Sequence, residues 1–164
     1  MQKEFAKKVI DILKDDPNIA GLAAGGSWIT NSIDEYSDID FVLVTYELIS
    51  NDSEKMLSYA KKFGSLINYF DGGHVGEKRL LICLYDNPFL HVDIKFVTLD
   101  EFRYRVEDPV ILFDRAGDLK QVLSETKSNR QFYGYQWIED RFWTWIHYLG
   151  QKIGRGEYFE ALEM

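Results

Sequence analysis

Cysteine is almost absent: Cys83 stands alone in 164 residues, so no internal disulfide can form. It lies in the apolar stretch LLICLY, where a lone thiol reads as a packed core group, and with three scattered histidines it makes no zinc-ligand pattern. No apolar run approaches the roughly 18 residues that a membrane span requires. The opening stretch MQKEFAKKVIDILKDD is charged throughout and lacks the build of a secretory signal, so the expected location is cytoplasmic. Basic residues are outnumbered, 19 against 27 acidic, for a net charge of −8. That balance argues against broad contact with a nucleic-acid backbone and suits a cationic small partner. Repeats and low-complexity segments are missing too. What is there is 46% hydrophobic and 15% aromatic, enough for one folded domain or one domain with a small appendage.

Hydrophobic spacing supplies the elements. Phe5, Val9, Ile12 and Leu13 predict a helix over 3–15, ended by Asp16 and Pro17. Ile19 to Ala24 reads as a strand that runs into glycines, and Asp38 to Thr45 as a second strand apolar enough to be covered on both faces. Asn51 to Phe63 opens with capping residues and continues as a helix. Strands are predicted at Ser65 to Phe70, Arg79 to Asp86 and Leu90 to Thr98, with His74 in a glycine-rich connection where it reads as a solvated loop histidine. A short charged helix over Asp100 to Glu107 and a strand over Val110 to Phe113 follow. Beyond them the strand signal stops: Asp118 to Thr126, Asn129 to Gly150 and Arg155 to Met164 read as helical. The aromatics of the second of these, Trp137, Phe142, Trp143 and Trp145 among them, fit no single stripe, as in a helix covered on several sides.

The stretch from Gly25 to Val44 carries the chemistry. It opens on Gly25, Gly26 and Ser27 and, after ten further residues, reaches Asp38, Ile39 and Asp40 at the mouth of a strand. Alternation puts Asp38 and Asp40 on one face and Ile39, Phe41 and Leu43 on the other. Two unit charges about 4 Å apart at an effective dielectric near 20 repel by about 4 kcal/mol, so the pair calls for a partner. Mg2+, a hard cation commonly held by one or two carboxylates plus substrate phosphates, answers that need. Glycine lets backbone N–H groups approach an anion closely, which makes the turn at Gly25 a natural phosphate loop. In LHVDIKFVT, Asp93 shares a strand face with His91 and Lys95. A mid-strand acid is costly to bury unpaired, so Asp93 reads as a third carboxylate of the same centre; the alternative is an ion pair with Lys95 or Arg79 at a sheet edge.

Gly26 and Ser27, a ten-residue gap, then Asp38 with Asp40 resembles the signature of the nucleotidyltransferase superfamily related to DNA polymerase beta. Within it, the chain most resembles bacterial aminoglycoside and antibiotic adenylyltransferases. The resemblance covers about the first two thirds of the chain well. It implies an α+β fold, a mixed sheet flanked by helices over 1–117, with a C-terminal helical segment over 118–164. Relatives carry a longer helical lobe there, so this chain is expected to be a shortened or a minimal member. The implied reaction moves a nucleoside monophosphate from a nucleoside triphosphate, ATP above all, to a hydroxyl of a small acceptor. Asp38, Asp40 and Asp93 would be the catalytic and Mg2+-binding acids, and Gly25, Gly26, Ser27, Ser37 and Lys95 the nucleotide contacts. A turn-forming role explains Ser37 equally well, and Lys152 and Arg155 are either phosphate ligands or solvated charges. Trp28 either stacks on a base or plugs the core. Two other readings stay open: a non-catalytic protein that binds a partner, or a second copy, through the aromatic helix, and a transferase that modifies a protein hydroxyl.

Overall fold

The computed structural model describes residues 1–130 and 134–163. They fall into two units, Met1–Arg130 and a helical one within Gln131–Met164.

The first unit is an α+β domain built on one six-stranded mixed sheet. Its strands are β1 (Ile19–Ala24), β2 (Ile39–Thr45), β3 (Ser65–Gly72), β4 (Glu77–Asp86), β5 (Leu90–Thr98) and β6 (Val110–Asp114), in the order β3-β4-β5-β2-β1-β6. Every neighbouring pair is antiparallel except β2 and β5. A parallel pair needs a long crossover, and here α2 (Ser53–Phe63), β3 and β4 lie between the two partners in sequence.

Period-two alternation decides what each face does. On one face Ile39, Phe41 and Leu43 of β2 and Val92, Ile94 and Phe96 of β5 are buried with Phe5, Val9 and Leu13 of α1 (Gln2–Leu13) and with Met56, Ala60 and Phe63 of α2. The amphipathic spacing of both helices matches this core, and Asp52 caps α2 by accepting the N–H groups of Glu54 and Lys55. Cys83 is buried in this cluster as a free thiol, and Trp28 packs against its edge.

The opposite face is covered over part of its length. Val44 and Val97 are buried there with Phe102 of α3 (Leu99–Phe102) and with Leu119 and Val122 of α4 (Asp118–Glu125). One step back along the strands, Val42, Asp40, Lys95 and Asp93 are only half-buried. The apolar run of β2 therefore has two covered faces at its C-terminal half alone, because α3 and α4 do not reach its start.

Several boundaries differ from expectation. The helix predicted over 100–107 ends at Phe102. It begins with a capping box in which Thr98 and Glu101 satisfy each other's backbone N–H groups. It stops because Arg105 turns away to bond Thr126 Oγ1 at 2.6 Å and Thr126 O at 2.7 Å beyond the end of α4. Residues 103–109 form instead a strap back to β6. β3 and β4 are longer than predicted, extending to Gly72 and from Glu77.

The second unit contains α5 (Tyr135–Gly154) and α6 (Tyr158–Leu162). The helix expected over 129–150 starts later and runs further; residues 131–133 lie outside the described residues, and the Asn129 N–H bonds Arg105 O in the first unit. Arg141 stacks over the Trp137 ring at 4.2 Å and Lys152 pairs with Glu157 at 3.0 Å. No residue of α5 or α6 is buried. Among the described residues, no helix is long and apolar enough to cross a membrane.

Candidate active site

The uncovered part of the second face is where the acidic residues meet. β2 and β5 run parallel with Asp40 directly opposite Asp93. Neighbouring strands are about 4.8 Å apart, so this register alone makes the two carboxylates neighbours. Asp38 stands just before β2, and its charge acts on both Asp40 and Asp93.

The glycine turn lies against the same spot. β1 and β2 are antiparallel, so the end of β1 meets the start of β2, and the Gly25 N–H donates to Asp40 O at 2.9 Å. Gly26 has φ +55, a left-handed conformation, and a Cβ there would collide with Asp40 Oδ2. Glycine is thus required twice at position 26, by backbone and by space. Residues Gly26–Trp28 form one turn of 3-10 helix, and the Oγ of Ser27 is buried without a hydrogen-bond partner.

Electrostatics mark Asp40 most strongly. Burial, and then the negative charges of Asp38, Asp93 and Glu107, push its carboxyl up to about 6. Asp93 is also raised by burial, with the proximity of His91 opposing. Its Oδ1 lies 3.0 Å from His91 Nε2, off the line of a hydrogen bond, and is otherwise unpartnered. The alternative pairing with Lys95 or Arg79 does not form. Both cations are held by Glu77, at 2.8 Å and 2.7 Å, and Arg79 also reaches Glu101 at 3.3 Å. Nor is Asp93 at a sheet edge, since β5 lies between β4 and β2.

The remaining expected contacts divide. Lys95 lines a cleft of about 320 Å³ together with Gly25, Gly26, Asp40 and Asp93, roofed by the strap. Ser37 is engaged locally, where its Oγ donates to Asp34 Oδ1 at 2.8 Å and accepts the Asp34 N–H at 3.0 Å, closing the turn before β2. Lys152 is held by Glu157 within the second unit.

Two neighbours of the acids escaped sequence reasoning. His91 shares the face of Asp93 in the sequence, but only the structure sets its Nε2 3.0 Å from Asp93 Oδ1. Glu107 gave no signal: it arrives from the strap and accepts the Gly26 N–H at 3.2 Å.

A family model described as a nucleotidyltransferase domain matches residues 6–132. The chain belongs to the nucleotidyltransferase domain family. A search of the curated proteins found no match. Membership makes the protein a transferase of nucleotides that takes a nucleoside triphosphate, and the family typically works with a divalent metal. The donor set of this nucleotidyltransferase fits such an ion in kind: hard carboxylate oxygens, one of them buried and short of partners at Asp93, and a carboxyl at Asp40 that gains from a nearby cation. Among the described residues no three His, Cys, Asp or Glu side chains are already gathered into a ready metal shell.

Proposed function

We propose that this nucleotidyltransferase moves the nucleoside monophosphate of ATP to a hydroxyl of a small, cationic, aminoglycoside-like acceptor in the cytoplasm, with Mg2+ as its metal. The observation that carries the reading is the register of Asp40 against Asp93 beside the Gly26 turn. Asp38, Asp40 and Asp93 would hold the metal, which when bound supplies charge neutralisation for the triphosphate.

The chain's own groups have separable roles. The backbone N–H groups of Gly26 and Ser27 orient the terminal phosphates, the Gly25 N–H being held by Asp40 O. Asp93 receives the proton of the acceptor hydroxyl as its oxygen bonds to the α-phosphorus and the bond to pyrophosphate breaks. The half-buried apolar side chains of the cleft exclude water from the transferred phosphoryl group. A cationic acceptor agrees with the net charge of −8.

The test is incubation of the purified chain with Mg2+, ATP and a panel of aminoglycosides, with adducts read by mass spectrometry. A gain of one AMP by an acceptor supports the reading, and Asp38→Asn or Asp40→Asn removes it while the fold persists; full activity in both variants contradicts it. The exposed aromatic face of α5 favours a second reading, a protein hydroxyl or a second copy of the chain as partner. Labelled ATP in lysate separates protein from small-molecule acceptors.

A further inference from the structure

The Gly26 N–H is already engaged, and its partner is an acid. Glu107 Oε1 accepts it at 3.2 Å across 81 residues of sequence. A Cβ at Gly25 would stand 2.8 Å from the same oxygen, so the missing side chain at 25 opens the way for that carboxylate, as the one at 26 does for Asp40. Like charges oppose the arrangement, because Glu107 acts repulsively on Asp40. Among the described residues it has no lysine or arginine partner to offset this. What holds it is the backbone donor of the turn, a charge-assisted bond.

The strap that delivers Glu107 is fixed, while the side chain is held, among the described residues, by the Gly26 N–H alone. Arg105, with its side chain 8% exposed, bonds Thr126 and Asp108, and Asn129 N–H donates to Arg105 O at 2.8 Å. Glu107 itself is exposed. Its carboxylate can leave the turn by rotation about its own bonds, with the roof of the cleft in place.

We propose that Glu107 is the resident anion of the glycine turn: its carboxylate holds the N–H that a triphosphate oxygen needs, so the strap sets nucleotide affinity by competition. This rests on the nucleotidyl-transfer reading of the site. With no nucleotide bound, Glu107 keeps the Gly26 donor satisfied, while the Gly25 N–H stays with Asp40 O; an entering triphosphate displaces the carboxylate outward. The competition raises the apparent Kd of every anion at the turn by the same factor, set by the share of time that Glu107 occupies it.

Isothermal titration calorimetry with inorganic tripolyphosphate in excess Mg2+ tests this on the full chain, comparing wild type with Glu107→Gln and Glu107→Ala. Glu54→Gln on α2, against the opposite sheet face, controls for net charge. Both Glu107 variants should bind on the order of fivefold more tightly, and Glu54→Gln as wild type does. Equal or weaker binding by the Glu107 variants, or an equal gain in Glu54→Gln, overturns the proposal and leaves the transferase reading standing. Absence of binding by wild type and all variants overturns both.

Discussion

Asp40 is the residue on which stability and function pull in opposite directions. Its carboxyl is raised from 3.8 to about 6, so the folded state binds a proton more readily than the unfolded chain does. Stability from this group is therefore full below pH 3.8 and is lost as pH rises through 6. At pH 8 the charged carboxylate is a burden, and Asp40→Asn should stabilise the chain by about 1–2 kcal/mol after allowance for solvent screening, while abolishing transfer. Chemical denaturation of both proteins at pH 8 and pH 4 checks it: the gain at pH 8 should vanish at pH 4, and a loss at pH 8 would show that Asp40 is paired in the apo protein. Gly26→Ala acts on the same pair from the other side. The left-handed backbone costs an L-residue about 1–2 kcal/mol, and the new Cβ displaces the Asp40 carboxylate. Activity should fall on the order of 100-fold from misplacement, as steady-state assays of folded variant would show.

At the scale of elements, the site is made by one parallel pairing in an otherwise antiparallel sheet. The alternation in IDFVLV and LHVDIKFV was legible, because period two assigns faces without any neighbour: Asp40 and Asp93 were assigned away from the core, and they are. The register that sets one opposite the other was not, since it depends on α2, β3 and β4 filling the crossover. The strap reads as helix in sequence for a similar reason. Its charged residues suit a helix surface, but Arg105 finds Thr126, more than twenty residues away, and the chain leaves the helix after Phe102. Glu77 is the element-scale counterpart of Asp40. Hydrogen bonding from Arg79, reinforced by Lys95, depresses its carboxyl to about 2, so its stabilisation is present above pH 4.5 and lost as pH falls toward 2. Glu77→Gln should cost about 1 kcal/mol near pH 7 and little at pH 2.5, measured by thermal melts across pH. A cost that persists undiminished at pH 2.5 would mean that size, not charge, matters at this position.

At the scale of the molecule, both buried clusters lie within Met1–Arg130, and α5 and α6 contribute no buried residue. A chain ended at Arg130 should keep a melting temperature within about 3 °C of the full chain; a drop beyond about 10 °C would show that the helical unit supports the core. The spread of aromatics along α5 announced a helix with more than one apolar side, and sequence periodicity could say no more than that, because what packs on such a helix lies outside it. The acids, the turn and the cleft all belong to the first unit, so nucleotide binding should survive the same truncation. The most direct measurement of the proposed chemistry follows the label from ATP marked at either the α- or the γ-phosphorus into a hydroxylated acceptor, with wild type and Asp40→Asn compared. Nucleotidyl transfer predicts that the α-label reaches the acceptor, that the γ-label departs in pyrophosphate, and that Asp40→Asn does neither; γ-label on the acceptor, or equal α-labelling by the variant, would contradict it.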